Sequence, residues 1–322
     1  MIGSESNFWL HSSLTGFDLT HPSSQDSALT YPRVLLETTT AQVTIDPAKS
    51  ALVIVDMQNF FLSPCLGRSR NGNGIKACDN LLKHAIPACR KAGIRVMWLN
   101  WGLTEEDMES MPPATLRAFG FETVPHDQDL GDGKGQETAK NGSGINTSNG
   151  EVKKLPPKAL FGKDPRLYRG IGSDIGRVDL EDGSATQAGR LLMRGSWNAE
   201  LYPPLEEVRQ QGLRDEIKRK DALIYKNRMS GFWGAESPCT KYLDEQGIRT
   251  LLFAGVNTDQ CVGGSMQDAF TRGYDCILLS NGSGTSSPAY SQECIEYNVA
   301  KVMGFVLSCE KLAKGVENMQ LL

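Results

Sequence analysis

The sequence predicts an α/β fold, a doubly wound and mostly parallel six-stranded sheet with helices on both faces, as a three-layer Rossmann-like sandwich. Three observations carry that expectation. Six short runs are nearly continuous in apolar residues rather than alternating, which suits strands covered on both faces. The stretches between them have helical spacing, so strand and helix alternate as right-handed crossovers require. The chain has 322 residues, 39% hydrophobic and 22% charged, ample for a large core without disulfide staples.

Taken in order, the first strand is the run ALVIVD at 51–56. A helix is expected over 75–92, where Ile75, Leu81, Leu82, Ile86 and Cys89 recur at helical spacing and Gly93 closes the C-terminus. The second strand is IRVMWL at 94–99 and the third ALIY at 222–225. Ser237 and Pro238 read as an N-cap followed by proline at the first helical position, and Gly247 ends that helix. TLLFA at 250–254 and CILL at 276–279 are the fourth and fifth strands. Ser287-Pro288 opens the last expected helix, and GFVLS at 304–308 is the sixth strand.

Two parts stand outside this rhythm. Residues 1–44 are rich in Ser and Thr and read as an extended arm. Residues 102–192 hold no convincing strand. Twenty of those 91 residues are Gly or Pro, against 48 of 322 in the whole chain, which marks a loop-rich insertion. Its middle, 131–150, is expected to be mobile. An insertion of that length suits a lid or a substrate-shaping segment, or else a surface excursion or an oligomer contact.

Composition excludes several functions. A net charge of −4 and a pI near 5.7 argue against nucleic acid, whose phosphates need a basic face. No apolar run approaches the length of a membrane span, and residues 1–14 lack the pattern of a secretory signal, so a cytoplasmic protein without a membrane partner is expected. Eight cysteines without a Cys-x-x-Cys fit reduced thiols. Four histidines without zinc spacing weaken a zinc-hydrolase reading. There is no P-loop. The G-x-G-x-x-A at 72–77 lies too far from the first strand to bind a dinucleotide, and Gly263-Gly264-Ser265-Met266-Gln267 misses the last glycine of a nucleophile elbow.

Three polar residues remain at the carboxyl ends of expected strands, where open α/β sheets build their sites. Asp56 ends the first strand, Lys226 follows the third, and Cys261 follows the fourth by a short turn. An acid ending five apolar residues is either paired or catalytic. Lys226 either snorkels to solvent or points into the cleft. Cys261 falls in the first turn of a helix, where free N–H groups favour a thiolate and suit an oxyanion. The alternative for Cys261 is a small buried core residue, which is the reading for the other seven cysteines.

The run from Ala51 to Phe61, ALVIVDMQNFF, resembles the opening motif of the isochorismatase-like cysteine hydrolases. Lys226-x-Arg228-x-Ser230-Gly231-Phe232 resembles their lysine motif, and Gly255-Val256-x-Thr258-x-x-Cys261-Val262 their nucleophile motif. The resemblance covers roughly 43–101 and 190–310, so the arm and most of the insertion lie outside it. It implies a single hydrolase domain at 45–322 after the 1–44 arm. It further implies Cys261 as nucleophile, Asp56 as the group that takes and returns the thiol proton, and Lys226 as their electrostatic partner. A cis peptide at Val256–Asn257 would turn the Asn257 N–H inward, to form an oxyanion hole with the Cys261 N–H. Nicotinamidases of the family commonly bind a metal just beyond the second strand. Leu99-Asn100-Trp101-Gly102 offers no acid or histidine there, so neither metal nor organic cofactor is expected.

A retained cysteine fits acyl chemistry, and the chain looks most like the ureidoacrylate or N-carbamoyl amidohydrolase branch. The expected reaction is hydrolysis of a C–N bond in a small amide, ureide or N-carbamoyl compound through a thioester, releasing ammonia or an amine. The alternatives are an isochorismatase cleaving a vinyl ether and a non-catalytic binding protein on the same fold. Gln58, Phe60, Asn100, Trp101, Phe232 and Trp233 are the candidate substrate contacts, although for each aromatic a core position is at least as reasonable. Arg228 is expected in a structural ion pair rather than on a substrate carboxylate. By resemblance the protein is a homo-oligomer, a dimer or tetramer.

Overall fold

A computed structural model describes residues 1–5, 7–120, 169–214 and 219–321. The expectation of mobility at 131–150 therefore falls outside the described residues. The N-terminal stretch folds as a five-stranded sheet rather than a loose arm. Its strands are β1 (Ile2–Ser4), β2 (Asn7–Ser12), β3 (Gly16–Asp18), β4 (Val34–Glu37) and β5 (Gln42–Ile45), in the order β1-β2-β3-β5-β4. Alternation in β4 and β5 buries Val34, Leu36, Val43 and Ile45 in the same core as Leu52, Ile54, Leu252 and Leu312. The Ser/Thr-rich composition hid this, because two residues per strand suffice to bury one face.

The central sheet has the six expected strands: β6 (Ser50–Val55), β7 (Arg95–Trp101), β10 (Ala222–Lys226), β11 (Thr250–Val256), β12 (Asp275–Gly284) and β13 (Gly304–Leu307). They lie in the order β10-β7-β6-β11-β12-β13, and every pairing is parallel. The chain moves outward from β6 to one edge and returns to lay β11 on its other side. The topology reverses between β6 and β11, which opens a crevice at their carboxyl ends. Odd positions of β6, Ala51, Val53 and Val55, face one core, and Leu52 and Ile54 face the other.

Helices cover both faces. The helix expected over 75–92 runs from Asn73 to Ala92 and ends at Gly93 in the left-handed conformation. A π-turn at Leu81–Ala85 precedes Pro87; the wider turn absorbs a residue that lacks the N–H and crowds the carbonyl four residues back. Ser237 caps Pro238–Glu245 in a reciprocal box with Thr240. Two details differ from expectation. Pro288 rather than Ser287 occupies the N-cap of Ala289–Asn298, without a side-chain cap bond. That helix is also not the last: Ser308 caps a further one, Cys309–Glu317, after β13.

The described ends of the insertion hold a hairpin of β8 (Arg177–Asp179) and β9 (Ala185–Gln187), where no strand is expected. With three residues to a strand, the pattern is too short to read as a period. No described helix is long and apolar enough to cross a membrane.

Candidate active site

The reversal between β6 and β11 brings Asp56 and the turn carrying Cys261 side by side. Gly255 makes the approach possible: its φ is +113°, and a Cβ there would strike the Val55 carbonyl. Asp56 adopts φ +52°, a left-handed conformation that costs an ordinary L-residue about 1–2 kcal/mol. The strand thus ends in a turned carboxylate. After it the chain crosses to Gln58, whose N–H donates to the Asp56 carbonyl (2.8 Å).

Lys226 arrives from two strands away. β10 is separated from β6 by β7, so the two strands lie roughly 10 Å apart, and the lysine and aspartate side chains close that gap together. Its ammonium passes 4.0 Å over the Trp101 ring at the end of β7 and stops 3.0 Å from Asp56 Oδ2. Its hydrogen bonds go to the carbonyls of Arg228 (3.0 Å) and Met229 (3.1 Å). Oδ2 therefore has an ion-pair neighbour but no aligned hydrogen-bond donor among the described residues. Asp56 Oδ1 accepts from the Trp101 backbone N–H (3.2 Å).

The Val256–Asn257 peptide bond is cis. The chain then enters a π-turn, Thr258–Val262, that leads into the helix Gly263–Thr271. Cys261 is in that turn, buried, with its thiol facing the Asp56 carboxylate and the Lys226 ammonium. Burial holds the Asp56 carboxyl above its ordinary range, and the nearby ammonium and the thiol oppose that only in part. Burial also pushes the Cys261 thiol up to about 12; Lys226 lowers it and the Asp56 charge raises it. The resting pair is thus a thiol beside a carboxyl group made unusually basic. That arrangement favours passing the thiol proton to the acid over releasing it to water.

The other sequence candidates divide. Gln58 is fully buried and spends its amide on backbone: Oε1 accepts from Trp101 N (3.0 Å), and Nε2 donates to Trp101 O (2.7 Å) and Ala199 O (2.6 Å). It positions the end of β7 instead of facing a ligand. Trp101 lies against the Lys226 ammonium, and Phe60 meets the Phe119 ring at 6.2 Å. Phe232 is directed into the core against Phe253 and Tyr274. Trp233 is 42% exposed, with its indole N–H on Asn227 Oδ1 (2.9 Å) and the Arg228 guanidinium over its ring. Asn100 points, by strand alternation, to the face of Trp98, away from Trp101; its buried Oδ1 has no partner among the described residues. Arg228 meets the Ser110 carbonyl (3.1 Å) and the Trp233 ring, with no carboxylate partner among the described residues.

Several positioning residues carry no sequence signal. Phe119 stacks edge-on against Trp101 at 5.3 Å from inside the insertion. Asn198 binds the Ala188 and Arg190 carbonyls and the Leu192 N–H, which fixes the returning end of the insertion against Gln58 and Asn59. Ser265, the serine of the rejected elbow, accepts from Gly231 N (3.1 Å) and so pins the loop after Lys226. No group of three or more potential metal ligands occurs among the described residues.

A buried Asp–Lys–Cys cluster thus stands at the switch point of a parallel sheet, and comparison with known proteins finds the following similarities. The isochorismatase domain family model matches residues 178–310. That span contains Lys226 and Cys261; Asp56 lies before it. A cysteine hydrolase from Pseudomonas syringae pv. phaseolicola 1448A is 16% identical, with a TM-score of 0.52 over 90% of this chain and 99% of that one. The nicotinamidase PncA from Bacillus subtilis is 15% identical, with a TM-score of 0.49 over 81% of this chain and 99% of that one. An N-carbamoylsarcosine amidase from Thermoplasma acidophilum is 18% identical, with a TM-score of 0.44 over 81% and 97%. The fold is the isochorismatase fold.

Proposed function

We propose that the protein is a cysteine-dependent amidohydrolase, which cleaves a C–N bond of a small amide, ureide or N-carbamoyl substrate. The observation that carries this reading is the meeting of the Cys261 thiol, the Asp56 carboxylate and the Lys226 ammonium in one buried cluster. Cys261 Sγ attacks the carbonyl carbon as its proton passes to Asp56. The carbonyl π pair moves to oxygen, and the N–H groups of Asn257 and Cys261 receive that oxyanion. The tetrahedral adduct collapses, the C–N bond breaks, and Asp56 returns the proton to the departing nitrogen. Water then adds to the thioester carbon and gives up a proton to Asp56; the C–S bond breaks, the acyl group leaves as its acid, and Asp56 returns the proton to sulfur, which restores the carboxylate and the thiol. Lys226 holds its charge beside both partners throughout and keeps the acid and sulfur in register. No step calls on a metal or an organic cofactor.

Phe60 and Trp101 are the candidate contacts that best fit a substrate wall, because the Trp101 ring carries the Lys226 ammonium and Phe60 shares its Phe119 neighbour; Gln58 acts through Trp101. The same reading carries a homo-oligomer in the cytoplasm, on the strength of the family resemblance. Ammonia release over ureides, N-carbamoyl acids, nicotinamide and simple amides tests it, with wild type and Cys261→Ala side by side. Turnover by wild type alone supports the thiol mechanism and names the substrate class. Equal turnover by both sinks Cys261 as nucleophile. Cleavage of isochorismate with silence on every C–N substrate would replace the amidohydrolase reading with the vinyl-ether one.

A further inference from the structure

Trp101 touches every member of the triad, and its indole N–H lacks a well-aligned acceptor. Its backbone N–H binds Asp56, and its ring face carries the Lys226 ammonium at 4.0 Å. Its indole Nε1–H is completely buried and has no hydrogen-bond partner among the described residues. A buried donor without an acceptor is costly, so a structure that keeps one at an active site has a use for it. The ring has no rotational freedom to find another acceptor. Gln58 clamps the Trp101 backbone at both N and O, Phe119 packs on the ring edge, and Lys226 occupies one face.

We propose that the Trp101 indole N–H is the donor that receives the Cys261 thiolate when the thiol proton moves to Asp56. This rests on the cysteine-hydrolase reading. The S–H bond breaks, an O–H bond forms on the Asp56 carboxylate, and the electron pair stays on sulfur. That sulfur then lies between an ammonium and an indole N–H, and both contacts strengthen as its charge appears. The indole side chain is near enough to the thiol to lower it, against the larger effect of burial. Once sulfur attacks carbon its charge leaves, and the N–H is free to release it or to meet the substrate. The residue therefore acts on the reacting atom and also positions its two partners.

The test is the pH dependence of iodoacetamide alkylation at Cys261 in the full chain, with a Cys261→Ala background subtracted to remove the other thiols. Trp101→Phe keeps an aromatic face under Lys226 and deletes the donor. Near neutral pH its alkylation falls about tenfold, the scale of one charge-assisted hydrogen bond. The upper inflection of the profile moves to higher pH, and kcat falls with KM little changed. A purely structural role would lower the melting temperature and leave the inflection in place, and an unmoved inflection overturns the proposal. If Trp101→Phe does not fold, β-(3-benzothienyl)alanine at position 101 removes the N–H and keeps the bicyclic shape. Alkylation needs no substrate, so the two readings fail separately. Full turnover in Cys261→Ala would sink the hydrolase, while the thiol profile would still judge the indole.

Discussion

Two buried aspartates stand at opposite ends of the central sheet, and they are treated in opposite ways. Asp275 opens β12 at the amino edge. Its carboxylate meets Trp9 Nε1 (2.8 Å), His21 Nε2 (2.7 Å) and the Thr250 hydroxyl (2.9 Å). One of those groups lies on β2 and another just after β3, so the acid ties the N-terminal sheet to the core. Lys49 reinforces the joint through the carbonyls of Thr20 and His21. Asp56 follows β6 at the carboxyl edge. It is more deeply buried, has a left-handed backbone, and one of its oxygens lacks an aligned donor. A buried acid with its bonds satisfied holds a fold together. One left short of donors and made more basic by burial is poised to take a proton.

The sharpest way to break the comparison is to neutralise each acid. Asp56→Asn is expected to lower turnover by about a thousandfold or more, the scale seen when one member of a catalytic unit is lost. Its fold should hold. Because folding raises the Asp56 pKa, the native state binds that proton more tightly than the unfolded chain does. Stability from this group is therefore greatest below the ordinary value of 3.8 and falls as pH rises through the folded value. Asparagine removes that slope, so urea titrations of the variant should lose part of the wild-type decline above that pH. For the active enzyme, kcat/KM should rise with pH through an acid limb above 3.8, since only the carboxylate accepts the thiol proton. An acid limb at or below 3.8 would remove Asp56 as the base.

Lys226→Met should cost about 3–5 kcal/mol near neutral pH, because it strands a buried carboxylate. Asp56 can escape by taking a proton, so the loss should shrink as pH falls. The double variant with Asp56→Asn should recover most of the loss. Additive losses in chemical denaturation would mean that the two groups are not coupled. Asp275→Asn takes the other course: turnover is kept, and stability drops by about 1–3 kcal/mol, because an amide nitrogen replaces an acceptor that faces donors.

The same contrast explains what the sequence could and could not reveal. All six strands of the central sheet were legible, because burial on both faces leaves continuous apolar runs such as 51–55 and 250–254. Asp56 was legible for the same reason, as a charge that ends such a run. Lys226 was even between solvent and cleft until the strand order placed it two strands from Asp56. The N-terminal sheet was hidden by strands of three to six residues, and Asp275 by partners more than 250 positions away in Trp9 and His21. The roles of Gln58, Asn198 and Phe119 depend on where the insertion returns, which no local pattern encodes. For Phe232 a core position was as reasonable as a substrate contact, and the residue is directed into the core.

The smallest effect is expected at the joint itself. His21→Ala removes one of three contacts to Asp275 and leaves the Trp9 and Thr250 bonds in place. A single hydrogen bond of this kind contributes about 1 kcal/mol, so the melting temperature should fall by only a few degrees. The loss should also be local. His21 stands between β3 and β4 with φ +49°, a conformation that alanine tolerates less well, and its carbonyl anchors Lys49. Amide exchange should therefore quicken in β2 and β3 first and leave β6 and β11 protected. Uniform quickening across both sheets would show that the N-terminal sheet and the central sheet unfold as one unit. The amino edge would then be as necessary to the Asp56–Lys226–Cys261 cluster as the crevice that holds it.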